Sequence, residues 1–188
     1  MWPSLGSMQG SWEPLSRLPK QYQGEKPATA AVLVPLYEDD AGEIRVVITK
    51  RPDHMPSHPG QLAFPGGKID PEDASPLAAA LREAEEEVGI RPGDVEVCGF
   101  LEPVNTNRLD MIVAPVVGRL PGPPRLVLQP EEVELSLEPR LEHFFDEALW
   151  RSELWSGFEL WFIEVQGEVL WGASAQIMRS MLNVIRGR

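Results

Sequence analysis

Three glutamates, Glu83, Glu86 and Glu87, lie three and four residues apart in one acidic run of the chain. On a helix this spacing brings side chains onto one face, where like charges repel, and anions near a helix C-terminus also meet the negative end of the helix dipole. A divalent cation would relieve the repulsion, and carboxylate oxygens with water suit Mg²⁺ or Mn²⁺. The run therefore predicts a site for Mg²⁺ or Mn²⁺, and a solvated acidic face is the alternative.

The helix that must carry these glutamates has recognisable ends. Ser75 is a favoured N-cap, Pro76 suits the first helical position, and Gly89 supplies the left-handed residue after the last turn. These signals predict a helix over residues 76–88. At about 100° per residue, the three glutamates share a sector about 100° wide, and Glu85 points elsewhere. The apolar stripe for the core is predicted to be Leu77, Leu81, Ala84 and Val88.

A segment rich in proline, glycine and histidine precedes this helix, over residues 52–67. Its composition excludes a helix and predicts a long loop, and long loops inside compact domains are usually functional. Because glycine lacks a Cβ, the loop backbone can approach the acidic helix closely.

The remaining elements must hold this loop and helix in place. Apolar, partly β-branched runs predict a hairpin formed by 29–38 and 43–51, and a second hairpin around Gly167. Further strands are predicted at 95–104, 111–120 and 131–140, a turn at 105–110, and helices at about 140–150 and 173–185. Many strands with few helices indicate α+β layering. Residues 1–27 are predicted to be an arm, and residues 28–188 a single domain.

Composition limits the partners of the chain. Its 188 residues contain 17 Lys and Arg against 29 Asp and Glu, and this net charge of −12 disfavours nucleic acid and anionic membranes. No apolar run approaches the ~20 residues of a membrane span, and the first residues lack the parts of a secretory signal. Cys98 is the single cysteine, so we expect no intramolecular disulfide, no cysteine-built zinc site and a cytoplasmic location.

The acidic helix and its preceding loop resemble the signature of the Nudix hydrolases. That signature runs Gly, five residues, Glu, seven residues, Arg-Glu, an aliphatic residue, any residue, Glu-Glu, any residue, Gly and an aliphatic residue. Gly67 opens the match and residues 82–90 close it. Asp73 stands where the first glutamate is expected, and one extra residue separates it from Arg82.

This insertion is similar to the form found in coenzyme A diphosphatases, which also carry an upstream sequence block. Residues 47–51 (Val-Ile-Thr-Lys-Arg) and 58–67 (His-Pro-Gly-Gln-Leu-Ala-Phe-Pro-Gly-Gly) match that block, whereas Pro52 and Pro56 depart from it. Farther on, residues 129–133 resemble the Asn-Pro-x-Glu-Val segment of the family, with Gln in place of Asn.

The resemblance implies a fold and a set of roles. The implied fold is a Nudix-type α/β/α sandwich with a mixed central sheet and flanking helices. The implied metal ligands are Glu83, Glu86, Glu87 and the backbone carbonyl near Gly67. The implied catalytic residues are Arg82, which would orient a carboxylate, and Glu86 and Glu132, which are both candidates for the general base. The implied substrate-binding residues are Arg51, His58, Gln61 and Gly66, with Arg51 suited to phosphate because guanidinium binds phosphate oxygens bidentately.

The resemblance also implies hydrolysis of a diphosphate that links a nucleoside to another moiety. The expected substrate is coenzyme A or an acyl-coenzyme A, cleaved to 3′,5′-ADP and a phosphopantetheine. ADP-ribose or another nucleoside diphosphate derivative is the alternative substrate, and a non-catalytic ligand sensor is the alternative to an enzyme. The apolar content of residues 150–161 suggests a homodimer surface, although the tryptophans there also suit a core.

Overall fold

The structure is a computed structural model that describes residues 12–106 and 111–187. Within these residues the helices are α1 (Trp12–Ser16), α2 (Pro76–Val88) and α3 (Gly172–Ile185). The strands are β1 (Ala30–Glu38), β2 (Ile44–Val46), β3 (Ile48–Lys50), β4 (Leu62–Ala63), β5 (Gly66–Lys68), β6 (Glu96–Phe100), β7 (Val104–Thr106), β8 (Met111–Arg119), β9 (Leu135–Leu137), β10 (Trp150–Trp155), β11 (Phe158–Val165) and β12 (Glu168–Trp171). Short 3-10 turns cover Pro92–Asp94, Leu141–Phe145 and Glu147–Leu149.

A mixed sheet lies at the centre of the fold. Its two long strands, β1 and β8, are parallel neighbours that run from Ala30 opposite Val113 to Leu36 opposite Arg119. Strands β2 and β5 pair with β1, and β6 and β7 pair with β8, all antiparallel. This sheet therefore holds β5, where the predicted loop ends, directly beside the start of β1.

Helices cover both faces of the central sheet. Side chains of β1 alternate between two apolar clusters, as a strand with period two requires. Ala31 and Leu33 pack in the cluster that contains Ala84 of α2, and Val34 packs in the cluster that contains Met178 of α3. The α+β class and the α/β/α sandwich with a mixed central sheet are therefore confirmed.

Two three-stranded sheets complete the described structure, in the orders β4-β3-β9 and β10-β11-β12. The predicted strand 43–51 is split between two sheets: β2 pairs with β1, and the last hydrogen bond to β1 is the one that the N–H of Val47 donates to the carbonyl of Pro35 (3.0 Å). Strand β3 then turns away to pair with β9. Only Leu135–Leu137 of the predicted strand 131–140 is a strand, since the residues before it form a turn.

The helix predicted at about 140–150 is wrong. Two short 3-10 turns occupy most of this segment, and β10 begins at Trp150. The first turn buries Leu141 and Phe144, which are three residues apart and so suit a 3-10 turn as well as a helix. The carboxylate of Asp146 then caps the second turn by accepting from the N–H of Ala148 (2.9 Å). The apolar spacing of a single helical turn therefore misled the prediction.

The predicted arm, residues 1–27, lies partly outside the described residues. In the part from residue 12 onward, Leu15 and Leu18 are buried in the core. The carbonyl of Pro19 accepts from the N–H of Phe100 (2.8 Å). The predicted turn 105–110 begins inside β7, and residues 107–110 lie outside the described ranges. Within the described ranges, no helix is long and apolar enough to cross a membrane.

The acidic helix has the predicted ends but a different buried face. The hydroxyl of Ser75 accepts from the N–H of Ala78 (3.2 Å), and Gly89 has a left-handed φ of 73°. The fully buried residues are Ala79, Ala80, Ala84, Glu87 and Val88, whereas Leu77 and Leu81 of the predicted stripe are only half-buried. The small alanines let the helix lie close to the sheet. The buried face of α2 is therefore rotated, relative to the predicted apolar stripe, toward the side that carries Glu87.

We expect Ser75→Ala to lower the free energy of unfolding by about 1 kcal/mol, because an N–H at the start of α2 loses its acceptor. Ser75→Asp is the matched control, since a carboxylate caps equally well. Urea denaturation followed by circular dichroism measures both variants. Equal stabilities of the wild type and Ser75→Ala would contradict a capping role for this hydroxyl.

Candidate active site

Three carboxylates meet beside α2. One oxygen each of Glu83, Glu87 and Glu132 lies within 4.8 Å of the others. Glu83 and Glu87 are one helical turn apart on α2, so the helix alone brings them together. Glu132 belongs to a distant segment, and its position depends on tertiary contacts.

Backbone hydrogen bonds bring Glu132 to the helix. The last carbonyls of a helix have no partner within it and need donors from elsewhere. Here the N–H of Gln129 donates to the carbonyl of Glu87 (2.9 Å), and the N–H of Val127 donates to the carbonyl of Val88 (3.0 Å). On the other side, the N–H of Glu134 donates to the carbonyl of Lys50 (2.8 Å). Residues 127–134 are thus held between the end of α2 and β3.

Glu87 is the most deeply buried of the three carboxylates. Its relative exposure is 4%, and it accepts one hydrogen bond, from the N–H of Gly66 (3.2 Å). Burial disfavours the charged carboxylate and raises its pKa to about 8, and the charges of Glu83 and Glu132 add to this rise. Burial also raises the pKa of Glu83. The site therefore concentrates negative charge that protein groups neutralise only in part.

Two glycines allow the loop to reach the helix. At Gly66 a Cβ would lie 2.4 Å from the carbonyl oxygen of Ala31, and at Gly67 it would lie 2.6 Å from the carboxylate of Glu83. No larger residue fits at either position without displacing the strand or the carboxylate. The predicted close approach of the loop to the acidic helix is therefore present at Gly67, and Gly66 lies equally close to the backbone of β1.

Arg82 is the cation beside the cluster. Its guanidinium binds Asp73 through two hydrogen bonds, from Nε to Oδ1 (3.1 Å) and from Nη2 to Oδ2 (2.9 Å). Nη1 donates to Oε1 of Glu83 (2.9 Å) and to Oε2 of Glu86 (3.0 Å), and Nη2 donates to the carbonyl of Lys68 (3.2 Å). These contacts orient Glu83, and the pKa of Asp73 lies below its ordinary value because of its bond to Arg82.

Glu86 lies apart from the three-carboxylate group. Its side chain is 57% exposed and contacts Arg82. Its predicted roles as a ligand and a general base stay predictions. Asp73, which the sequence comparison treated only as a departure from the signature, is the residue that anchors Arg82. Its spacing before Arg82 was the only available signal of this contact.

Three of the predicted substrate-binding residues, Arg51, His58 and Gln61, lie in the segment between β3 and β4, and the fourth, Gly66, begins β5. The N–H of Arg51 donates to the carbonyl of Gln61 (3.0 Å), and its Nε donates to the carbonyl of Ser57 (3.3 Å). Nδ1 of His58 lies 2.9 Å from Oε1 of Gln61. The charge of Arg51 lowers the pKa of Glu87, opposing the larger effect of burial, so this guanidinium acts on the carboxylate cluster.

A cleft of about 590 Å³ opens next to this loop. It is lined by Pro52, Asp53, His54, Pro130, Val133 and Glu134. Its lining includes Pro130 and Val133, which flank residues 131 and 132 in the chain, whereas none of the three clustered carboxylates is among the lining residues. Its volume is in the range of small-molecule sites.

A divalent cation fits this donor set. Mg²⁺ and Mn²⁺ prefer carboxylate and carbonyl oxygens, and the cluster offers three carboxylates beside the loop of Gly66 and Gly67. Burial, followed by the charges of Glu83 and Glu132, raises the pKa of Glu87, so the ionised cluster would be stabilised by added positive charge. A bound cation would supply that charge.

The chain is similar to known proteins that carry the name Nudix. A family model described as the NUDIX domain matches residues 27–157. The protein named uncharacterized Nudix hydrolase NudL from Enterobacter sp. (strain 638) is 40% identical over 158 residues, which cover 81% of this chain and 80% of that protein. Nudix hydrolase 15, mitochondrial, from Arabidopsis thaliana is 37% identical over 180 residues, which cover 90% of this chain.

The chain spans less than two thirds of the two Arabidopsis relatives, 62% of Nudix hydrolase 15 and 57% of Nudix hydrolase 22, chloroplastic. Among solved structures, a MutT/nudix family protein from Enterococcus faecalis has the same fold, with a TM-score of 0.62 and 17% identity over 90% of this chain and 66% of that one. Because the family model covers well over half of the chain and the Enterobacter relative aligns along most of its length, the chain belongs to the Nudix domain family.

Proposed function

We propose that this protein is a metal-dependent hydrolase that cleaves the diphosphate linking a nucleoside to another moiety. The observation that supports this most is the meeting of Glu83, Glu87 and Glu132 within 4.8 Å, with Glu87 buried. Such a cluster is unfavourable in an empty site and suits a cation that also binds an anionic substrate. Relatives that carry the name Nudix hydrolase support the same reaction class.

The chemical barrier in this reaction is negative charge. Water must approach a phosphorus atom surrounded by anionic oxygens, and the leaving phosphate gains further charge. A divalent cation, when bound, neutralises that charge and lowers the pKa of water. The net charge of −12 would otherwise repel the substrate.

The residues of the chain divide the remaining work. Glu83, Glu87 and the carbonyl near Gly67 hold the metal. Arg82 positions Glu83 through Nη1, while Nε and Nη2 of the same guanidinium bind Asp73. Glu132 and Glu86 are the proposed proton acceptors for the attacking water. Glu132 has the better position, because it belongs to the cluster.

The substrate is recognised on the loop side of the cluster. Arg51 lies where its charge reaches Glu87, so it can hold a phosphate oxygen next to the metal ligands. His58 and Gln61 contact each other and shape the same loop, and Gly66 lets that loop lie against the strand. The group attached to the diphosphate would then extend toward the cleft beside Glu134.

We propose coenzyme A or an acyl-coenzyme A as the substrate. The support is the resemblance of residues 47–51 and 58–67 to the block of the coenzyme A diphosphatases, and these residues form β3, β4 and the loop beside the site. ADP-ribose is the alternative, because Pro52 and Pro56 depart from that block. The intact segment 82–87 favours an enzyme over a ligand sensor, because a sensor has no need to keep all of its carboxylates.

We expect Glu83→Gln and Glu87→Gln each to lower kcat/KM by about 100-fold or more, because loss of a metal ligand removes charge that the transition state needs. Glu85→Gln is the matched control, with the same loss of charge at an exposed position of the same helix. Steady-state hydrolysis with Mg²⁺ and circular dichroism measure activity and folding. Full activity of both ligand variants would refute the metal assignment.

Replacing the proposed bases separates their roles. We expect Glu132→Gln to lower kcat by about 100-fold or more, because a general base contributes on that order, while Glu86→Gln lowers it by less than about tenfold. The reverse result would assign the proton transfer to Glu86. Steady-state hydrolysis at saturating Mg²⁺ and saturating substrate distinguishes the two.

The metal-free protein has a testable pH dependence. Since the pKa of Glu87 rises from 4.5 to about 8 on folding, the folded chain keeps a proton that the unfolded chain releases. The stability from this proton is present below pH 4.5 and is lost as the pH rises to about 8. We expect Glu87→Gln to flatten this fall in urea denaturation with a chelator, and Mg²⁺ to offset it in the wild type. Equal slopes for wild type and variant would contradict the burial argument.

A substrate panel tests the finer proposal. Coenzyme A, ADP-ribose and a dinucleoside polyphosphate are incubated with the protein, with and without Mg²⁺, and products are separated by chromatography. We expect coenzyme A to give 3′,5′-ADP with the highest kcat/KM, and only with the metal. Faster cleavage of ADP-ribose would overturn the coenzyme A proposal, and no cleavage of any compound would overturn the enzyme proposal.

A further inference from the structure

Exposed apolar side chains are concentrated at one sheet of this protein. Within the described residues, six large apolar side chains are exposed, and five of them lie in or next to the sheet β10-β11-β12. These five are Leu149, Leu154, Trp155, Phe158 and Val169, and two of them, Leu154 and Trp155, are 79% and 66% exposed. Apolar surface gathered in this way marks an interaction site more often than single scattered residues do.

The same region has an open sheet edge. Strand β10 pairs with β11 on one side, and no other strand among the described residues pairs with it. Natural proteins protect such edges with charged side chains, proline, bulges or covering segments, because unpaired N–H and C=O groups recruit another strand. Strand β10 contains no proline and ends in two adjacent apolar residues, but it carries the charged residues Arg151 and Glu153. Its edge therefore suits only a further strand whose charges are complementary to these two.

The sequence of β10 is complementary to itself. Arg151 and Glu153 flank Ser152, and both charged side chains are exposed. When two copies of this strand run antiparallel about a twofold axis at Ser152, Arg151 of each lies opposite the partner's Glu153. Opposite charges in directly facing positions stabilise a strand pair.

The apolar residues fit the same register. The partner's Trp155 then extends past the start of β10 toward Leu149, the exposed last residue of the preceding 3-10 turn, so apolar side chains lie at each end of the strand pair. Leu154 lies opposite the partner's Trp150, whose ring is buried against Trp161 at a centroid distance of 6.4 Å. Phe158 faces Trp155 across the β10–β11 pair and extends the covered surface.

Neighbouring registers lack this complementarity. An axis at Arg151 sets that arginine against its own copy, and an axis at Glu153 sets two glutamates against each other. Like charges in facing positions destabilise a strand pair. Because the axis at Ser152 pairs both the charges and the apolar residues, the strand selects one register.

We propose that a second copy of this chain is the occupant of this surface, and that two β10 strands pair antiparallel about a twofold axis at Ser152. The two sheets then join into one sheet of six strands. A twofold contact uses the same surface on both copies and closes, so it produces a dimer and no longer assembly. This interface is independent of the proposed hydrolase activity.

Charge reversal and exchange test the register. Arg151→Glu and Glu153→Arg each place two like-charged pairs across the axis, whereas the double variant restores two opposite-charged pairs with their signs exchanged. We expect a dimer in the wild type, with a mass twice the 20.9 kDa of one chain. We expect each single variant to raise the dissociation constant about tenfold or more, and the double variant to return it to within about threefold of the wild type.

Sedimentation equilibrium of the full chain, up to about 0.1 mM, measures these constants. Arg125→Glu is the matched control, because it makes the same charge change at an exposed residue away from the sheet. Circular dichroism confirms that each variant is folded. A wild-type monomer at every concentration, an assembly larger than a dimer, insensitivity to both single variants, or failure of the double variant to restore the dimer would each overturn the proposal.

Discussion

Burial of one carboxylate among others is the constraint on which the rest of the site depends. A charged carboxylate removed from water is unstable unless it is paired or hydrogen-bonded. Glu87 is 4% exposed, accepts one backbone hydrogen bond and faces two further glutamates. The alanines of α2 let this helix lie close to the sheet, and the N–H of Gly66 donates to the Glu87 carboxylate. The segment 127–134 brings Glu132 beside it. The fold thus maintains an arrangement that local physics opposes, which is typical of functional sites.

The positive charges near the cluster lie at its margin. Arg82 is shared among four carboxylates, those of Asp70, Asp73, Glu83 and Glu86. Its charge is therefore largely used in positioning, and it neutralises Glu87 little. A bound divalent cation would supply positive charge beside the buried Glu87. An acidic protein can then accept an anionic ligand without a basic surface.

Local signals made α2 predictable, because its caps, Ser75 and Gly89, act within one or two turns of the chain. The helical period predicted that Glu83 and Glu87 lie together, whereas Glu86, which was predicted to join them, lies apart beside Arg82. The buried face did not follow from the apolar spacing, because it is built from the small residues Ala79, Ala80 and Ala84 and includes Glu87, whereas Leu77 and Leu81 are only half-buried. The entry of Glu132 into the cluster depends on hydrogen bonds between residues some forty positions apart, such as Gln129 and Glu87, and no periodicity reports such contacts. The resemblance alone pointed to Glu132. The 3-10 turns at 141–149 were missed because a single turn has the same apolar spacing as a helix.

The hydrogen bonds from Val127 and Gln129 to the end of α2 have a consequence for local unfolding. Detachment of the segment 127–134 would expose the last carbonyls of the helix and withdraw Glu132 from the cluster in one step. The free energy of that step is smaller than that of global unfolding, because the central sheet stays intact. The proposed role of Glu132 would therefore depend on the local stability of this part of the fold, in which the end of a helix and a distant loop open and close together.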